Sequence, residues 1–241
     1  MEKIDDLNCK GLKIIRDTNF YNFTIDPILL VNLSSVKKDS VVVDLCSGGG
    51  IIPILVAGKS RAKFVYGIEL QKELSELANK SVIMNNQTDK VCIINDDIKN
   101  YKKYFKNDSV DVVYCNPPYS MVESSFKCNN LSRAIARQEL NVTLQDCITI
   151  AKSLLKYGGE FYMVHQIKRL QEILALLYEN KLALKNLYVI RAKEKDSPHL
   201  VVIKAIKGGG YECNLVNEIV INNDDGTLSD FVQKLYAKQQ I

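Results

Sequence analysis

"SVVVDLCSGGGIIP", residues 40–53, decides how the rest of the chain is read. A β-branched apolar run, Val41 to Val43, passes through Asp44 into three consecutive glycines. Such a run suits a strand buried on both faces of a parallel sheet. Gly48, Gly49 and Gly50 permit a tight turn and a close backbone approach to a ligand. The apolar stretch "IIPILVAGK" (51–59) follows as a helix. Pro53 is tolerated only in its first turn, where a missing N–H breaks no helical bond. The free N–H groups at that helix start point at whatever binds above the turn.

Working outward, "KFVYGIEL" (63–70), "KVCIIN" (90–95) and "SVDVVYC" (109–115) have the same strand character. Between them, "QKELSELANKSVIMNN" (71–86) repeats Leu74, Leu77, Ala78, Val82 and Ile83 at helical spacing. The second half continues with a helix over 139–156, a strand over 157–165 and a helix over 166–180. Two final strands, 182–192 and 199–207, are joined by a polar turn. The expected fold is therefore α/β: a doubly wound, seven-stranded, mostly parallel sheet with an antiparallel last strand. With no repeat or linker in view, residues 1–241 read as a single domain. Residues 1–35 form an N-terminal accessory segment packed on the core, and 120–138 also stand outside the alternation.

Bulk composition narrows the classes further. Hydrophobic residues make up 46% and charged residues 25%, ordinary for a globular protein with a sizeable core. No run reaches the ~18 apolar residues of a membrane span, and "MEKIDDLNCK" lacks a signal pattern. A cytoplasmic protein without membrane attachment is the expectation, with a monomer assumed. The seven cysteines form no C-x-x-C pair, and His165 and His199 are distant in sequence, so no metal is expected. Net charge is only +4, but residues 181–207 hold seven cations against two acids, a net of +5. That stretch, with Lys204 and Lys207, is either a solvated face or a phosphate-binding surface.

The ligand of the glycine turn follows from what surrounds it. Gly48 and Gly50 would open a dinucleotide fingerprint, but Pro53 stands where its third glycine belongs, and the G-K-[ST] of a phosphate loop is absent. Asp44 repels a pyrophosphate and suits a cation; an α-amino group and a sulfonium are what S-adenosylmethionine offers. Glu69, ending the second strand, is placed to accept from ribose hydroxyls. Asp96 and Asp97 end the third strand, where a carboxylate can accept from an adenine amino group. Ile68, Leu70 and Ile98 are candidates to sandwich the ring. One acid alone would mean little; three successive strand ends on one sheet edge mean a site.

In order and spacing, Asp44-Leu-Cys-Ser-Gly-Gly-Gly50, Glu69, Asp97 and Asn116-Pro-Pro-Tyr119 resemble the motifs of class I S-adenosylmethionine-dependent methyltransferases. The resemblance implies cofactor contacts from Asp44, Cys46, Ser47, Gly48, Gly50, Glu69, Leu70, Asp97, Ile98 and Asn116. Cys46 stands where many members have the first glycine. Across nearly the whole chain, "FYNFTIDPILLV" (20–31), "ARQELNVTLQD" (136–146) and "SPHLVVIKAIKGG" (197–209) are similar to the tRNA adenine-N6 methyltransferases that modify adenine-37 of a valine tRNA. Gln138 occupies a position where those members commonly have histidine. That the substrate is this tRNA is implied by the resemblance only.

The chemistry of Asn116, Pro117, Pro118 and Tyr119 agrees. Two prolines end the strand. The Asn116 side-chain oxygen and the Pro117 carbonyl are two acceptors for the two hydrogens of an exocyclic NH₂. Holding both aims the nitrogen lone pair at a methyl donor, and both acceptors tighten as the nitrogen becomes positive. Tyr119 can lie on the base face. Arg133 and Arg137, at i, i+4 spacing, either hold phosphates or simply solubilise a surface. Three other readings use the same motifs: a protein glutamine-N5 methyltransferase, a ribosomal RNA guanine-N2 methyltransferase, and a non-catalytic S-adenosylmethionine- or RNA-binding module. The first is expected to carry a longer helical segment before the first strand, the second often an extra N-terminal domain, and the third has no need of both Asn116 and Tyr119.

Overall fold

The structure is a computed structural model in which residues 1–17, 24–118 and 142–237 are described. Its centre is an eight-stranded sheet built from β3 (Val41–Leu45), β4 (Phe64–Glu69), β5 (Val91–Asn95), β6 (Val110–Cys115), β7 (Leu155–Gln166), β8 (Leu182–Arg191), β9 (Leu200–Lys207) and β10 (Leu215–Val220). The spatial order is β10-β8-β9-β7-β6-β3-β4-β5. Every pairing is parallel except the two made by β9, which runs antiparallel between β7 and β8.

Two buried layers cover the sheet. One contains α1 (Asp26–Asn32), α2 (Ile51–Lys59) and α3 (Lys72–Met84), with Leu29, Ile54, Leu55 and Ala78 among its buried side chains. The other contains a 3-10 helix (Ile98–Lys103), α4 (Leu144–Leu154) and α5 (Leu170–Glu179), with Ile98, Ile148, Leu154 and Ile173 buried. Alternate strand residues feed the two layers: Val42 enters the first, Val43 and Leu45 the second. This is the period of two expected of a strand buried on both faces.

All seven strands read from the sequence are present, with the antiparallel one at 200–207. The eighth, β10, was not anticipated. "LVNEIV" is short, with its apolar residues interrupted by Asn217 and Glu218, and it pairs in parallel along the outer edge of β8; shortness and a charge are common features of edge strands. A helix, α6 (Asp230–Ala237), follows it. The expected helix over 139–156 gives way at Leu155, where β7 begins, and the helix over 166–180 starts with a 3-10 turn, Ile167–Arg169. Before the sheet lies a hairpin, β1 (Glu2–Asp6) with β2 (Lys13–Asp17). Leu7, Cys9, Leu12 and Ile14 join the same buried layer as α2. The Ile15 N–H donates to Ser81 Oγ at 2.9 Å, and Lys13 N–H donates to Asn85 Oδ1 at 2.9 Å.

Candidate active site

The carboxyl ends of β3, β4, β5 and β6 lie side by side. Asp44 pairs in register with Gly67 of β4 and Tyr114 of β6, and Leu45 pairs with Ile68 and Cys115. The glycine turn and Asn116-Pro117-Pro118 therefore leave adjacent strands at the same edge.

The turn after β3 is shaped by two close approaches. Gly50 caps α2 with φ +84°, and a Cβ there would sit 3.0 Å from the Ala78 Cβ, so glycine is required both by conformation and by the packing of α2 on α3. Gly67, which sequence reasoning passed over, has ordinary φ, but its Cβ would meet Ser47 Oγ at 2.5 Å. Its missing side chain is what lets the turn fold back over β4. Above Gly48 and Gly49 a Cβ would meet no atom of the described residues within 4 Å, so among them that side of the turn is open. Cys46 is held at φ +58°, the left-handed region that a glycine enters without penalty.

Asp44 is fully buried, and neither carboxylate oxygen has a hydrogen-bond partner among the described residues. Ser47 Oγ is buried with no partner at hydrogen-bond distance among the described residues, though it lies close enough to Asp44 to pull that carboxyl's pKa down weakly against burial. Burial pushes the Asp44 carboxyl well above the ordinary range. A buried carboxylate is costly unless something pairs with it, so the chain carries an acceptor waiting for a donor or a cation. Glu69 is nearly as buried but already employed: Oε2 accepts from the Gly48 N–H at 2.7 Å and Oε1 from the Gln71 N–H at 2.8 Å. It buttresses the turn. Burial raises its pKa to about 7, against the opposing pull of those N–H groups.

At the end of β5 the two aspartates separate into different roles. Asp96 accepts from the Tyr104 hydroxyl, the Asn100 amide and Lys103, which hold its carboxyl well below the usual range. It is a structural anchor. Asp97 is half-buried and caps the 3-10 helix, accepting from the Lys99 N–H at 2.9 Å. Asn95 was not singled out by sequence; its amide bridges the Glu69 and Leu70 carbonyls at 2.9 and 3.1 Å and ties β5 to β4. Leu70 is 37% exposed, whereas Ile98, next to Asp97 in sequence, and Ile68 are both buried in the second layer.

On β6, Asn116 and Pro118 are half-buried and Pro117 is buried. Tyr119, Arg133, Arg137 and Gln138 lie outside the described residues. His165 is the next-to-last residue of the adjacent β7, two residues beyond Met163, the register partner of Cys115. It is buried, and that burial, with Arg169 nearby, lowers its pKa to about 4, so the ring is neutral at working pH.

Lys204 and Lys207, expected on either a solvated face or a phosphate-binding surface, are both paired within the chain. Lys204 pairs with Glu160 at 2.8 Å in the middle of the sheet. Because β9 is antiparallel, Lys207 lies at the opposite edge from Asn116, donating to Asp108 at 2.5 Å and to the Lys152 and Leu155 carbonyls, each at 2.7 Å. Most of the remaining basic stretch is also paired: Lys185 with the Gly210 and Glu212 carbonyls, Arg191 with Glu218, Lys193 with the Asp224 carbonyl and Lys195 with the Asp224 carboxylate. Its excess of charge in sequence is spent on local structure.

Comparison with known proteins agrees with this geometry. Residues 31–135 match the TRM5/TYW2 methyltransferase domain. The chain is 28% identical over 207 residues to a tRNA1(Val) (adenine(37)-N6)-methyltransferase of Aeromonas hydrophila, covering 85% of this chain and 84% of that one. A protein of the same name from Cytophaga hutchinsonii is 24% identical over 176 residues, 66% of this chain and 70% of its own. Among solved structures, a predicted O-methyltransferase of Agrobacterium tumefaciens superposes with TM-score 0.71 at 17% identity, covering 89% of this chain and 96% of that one. TYW2 of P. horikoshii, in complex with MeSAdo, gives TM-score 0.61 at 16% identity, with 86% and 72% covered. The fold is that of the Rossmann-like methyltransferases.

Proposed function

We propose that this chain, similar to the tRNA1(Val) adenine-37 N6-methyltransferases, is an S-adenosylmethionine-dependent methyltransferase acting on the exocyclic N6 of an adenine in tRNA, at position 37 of a valine tRNA. One observation carries the reading: a fully buried, unpartnered Asp44 and the Asn116-Pro117-Pro118 segment leave register-paired neighbouring strands at one sheet edge. The first calls for a cationic ligand, the second for an NH₂ group.

The residues present fit that cofactor. Asp44 takes the positively charged amino group, Glu69 the ribose hydroxyls, Asp97 the adenine amino group, and the open face above Gly48 and Gly49 leaves room for backbone approach. S-adenosylmethionine supplies an electrophilic methyl group when bound. The chain's own work is positional: Asn116 Oδ1 and the Pro117 carbonyl accept the two N6 hydrogens and turn the nitrogen lone pair toward the donor. Both acceptors bind more tightly as positive charge develops on that nitrogen, which lowers the barrier without a general base. The proton leaves after methylation, once the alkylated nitrogen is acidic. Tyr119 stacks on the base. Phosphates are held by cations outside the paired C-terminal strands, Arg133 and Arg137 first among them. No helix among the described residues is long and apolar enough to cross a membrane, and the site of action is the cytoplasm.

The test is nucleoside mass spectrometry of purified valine tRNA incubated with this protein and S-adenosylmethionine, followed by mapping of the methylated position. N6-methyladenosine at position 37 is expected. Methylation of guanine N2, or of a protein glutamine with tRNA untouched, would transfer the same site to a different substrate. Binding of the cofactor without any methyl transfer would leave a non-catalytic module.

A further inference from the structure

Outside the polar groups of the site, three thiols converge on its underside. Cys46 comes from the turn after β3, Cys115 is the last residue of β6 immediately before Asn116, and Cys147 lies near the start of α4. Their sulfurs all lie within 4.8 Å of one another. Cys115 and Cys147 are fully buried, and Cys46 is half-buried. In sequence they are 69 and 32 residues apart, a spacing that matches no metal-ligand motif.

We infer that Cys46, Cys115 and Cys147 form a binding site for one thiophilic divalent metal ion of the zinc–cadmium class, held by the three thiolates. The distances favour coordination. An ion bonded at ~2.3 Å to each sulfur in tetrahedral directions sets the sulfurs about 3.8 Å apart, so the cluster closes on it by an ångström or less. A disulfide would draw two sulfurs to about 2.05 Å, a larger displacement for groups fixed in a core.

The ligand set also fits the ion's softness. Three sulfurs with no oxygen or nitrogen among them select zinc or cadmium over magnesium or calcium. No fourth histidine, cysteine, aspartate or glutamate joins the cluster among the described residues. The half-buried Cys46 side gives the ion a way in. Cys147 is the fourth residue of α4, where the helix N-terminus favours a thiolate. Binding converts three thiols and a dipositive ion into a singly negative complex, with three protons released to solvent.

Cys46 provides the decisive variant. Its φ of +58° suits glycine, so Cys46→Gly removes a ligand while relaxing the backbone. The reduced, metal-free full chain is titrated with Cd²⁺, and thiolate-to-cadmium charge-transfer absorbance is followed in the ultraviolet. One equivalent is expected to saturate the band. Removing an outer partner of a metal site costs ~10–100-fold in affinity and a direct ligand more, so Cys46→Gly and Cys147→Ser should each weaken binding by at least about a hundredfold. Cys92→Ser and Cys213→Ser, both at exposed positions, should change nothing. Thermal unfolding of each variant shows that it is folded. Absence of a charge-transfer band at one equivalent would overturn the inference, as would a folded Cys46→Gly that binds Cd²⁺ as tightly as the parent. The titration needs no cofactor and no tRNA, so its failure leaves the methyltransferase reading intact.

Discussion

At the carboxyl edge of the sheet, Asp44 is fully buried with neither oxygen bonded among the described residues; at the amino edge, Lys207, with a side chain 15% exposed, has three partners. Nearby, Asp111 accepts from the Val41 N–H at 2.8 Å and pairs with Lys156 at 2.7 Å, tying the starts of β3, β6 and β7 together. The two edges are built from the same strands and similar residue types. Charge at the amino edge is satisfied by the chain itself and serves the fold. At the carboxyl edge Asp96 and Glu69 are also satisfied by the chain, but Asp44 is left over among the described residues, at a cost in desolvation that a ligand can offset. Incomplete pairing, more than charge as such, separates site from scaffold.

The largest effect expected from breaking this contrast is at Asn116. Asn116→Ala removes an acceptor that matters most in the transition state, and by analogy with a lost oxyanion-hole donor kcat should fall roughly 10²–10³-fold. The affinity for S-adenosylhomocysteine, measured by calorimetry, should hold. Wild-type methylation of tRNA by a folded Asn116→Ala would reduce the segment to a stiff turn.

Next comes Asp44. Asp44→Ala should weaken S-adenosylhomocysteine binding roughly ten- to a hundredfold, the loss of one charge-assisted hydrogen bond of about 1.5–3 kcal/mol. The Tm of the ligand-free chain should hold or rise, because the variant removes a buried carboxyl that has no partner. A marked drop in Tm with unchanged affinity would make Asp44 a structural residue.

The third prediction concerns pH. Glu69, raised to about 7 by burial, must be ionised to serve hydroxyl donors best. Cofactor affinity should therefore climb as pH rises through about 7 and level off above it. Asp44, also raised, acts in the same direction. Stability of the ligand-free chain should move the other way. The folded state keeps the Glu69 proton where the unfolded chain has lost it, so stability declines from the ordinary carboxylate pKa up to about 7. Glu69→Gln should flatten the affinity profile; a profile identical to that of the parent would assign the titration to another group.

The smallest effect on function belongs to Lys207. Lys207→Ala should cost about 1–2 kcal/mol in denaturant-monitored stability, since it strips partners from two backbone carbonyls and Asp108. Cofactor affinity and tRNA KM should not move. A raised tRNA KM at unchanged stability would return the amino edge to the RNA surface.

How much of this was legible beforehand depends on the range of the information. The strands at 41–45, 64–69, 91–95 and 110–115 and the helix at 72–84 follow from hydrophobic period, a local property, and they lie where the sequence places them. So do the acids at strand ends, because a parallel sheet puts every such end on one edge. The hairpin of residues 2–17, short and mostly charged, and the strand Leu215–Val220, short and interrupted by Asn217 and Glu218, were missed because each is held by what it pairs with.

Sequence alone thus determined the doubly wound sheet, the glycine turn and the row of Asp44, Glu69, Asp97 and Asn116, since each rests on residue type and near-neighbour spacing. Tertiary structure alone decided which charges remain unpaired. It separated Asp96 from Asp97, carried Lys207 to the far edge by threading β9 antiparallel between β7 and β8, and brought Cys46, Cys115 and Cys147 together. The physical reason is that pairing, desolvation and coordination depend on distances through space, and residues far apart along the chain acquire those distances only when the sheet closes around them.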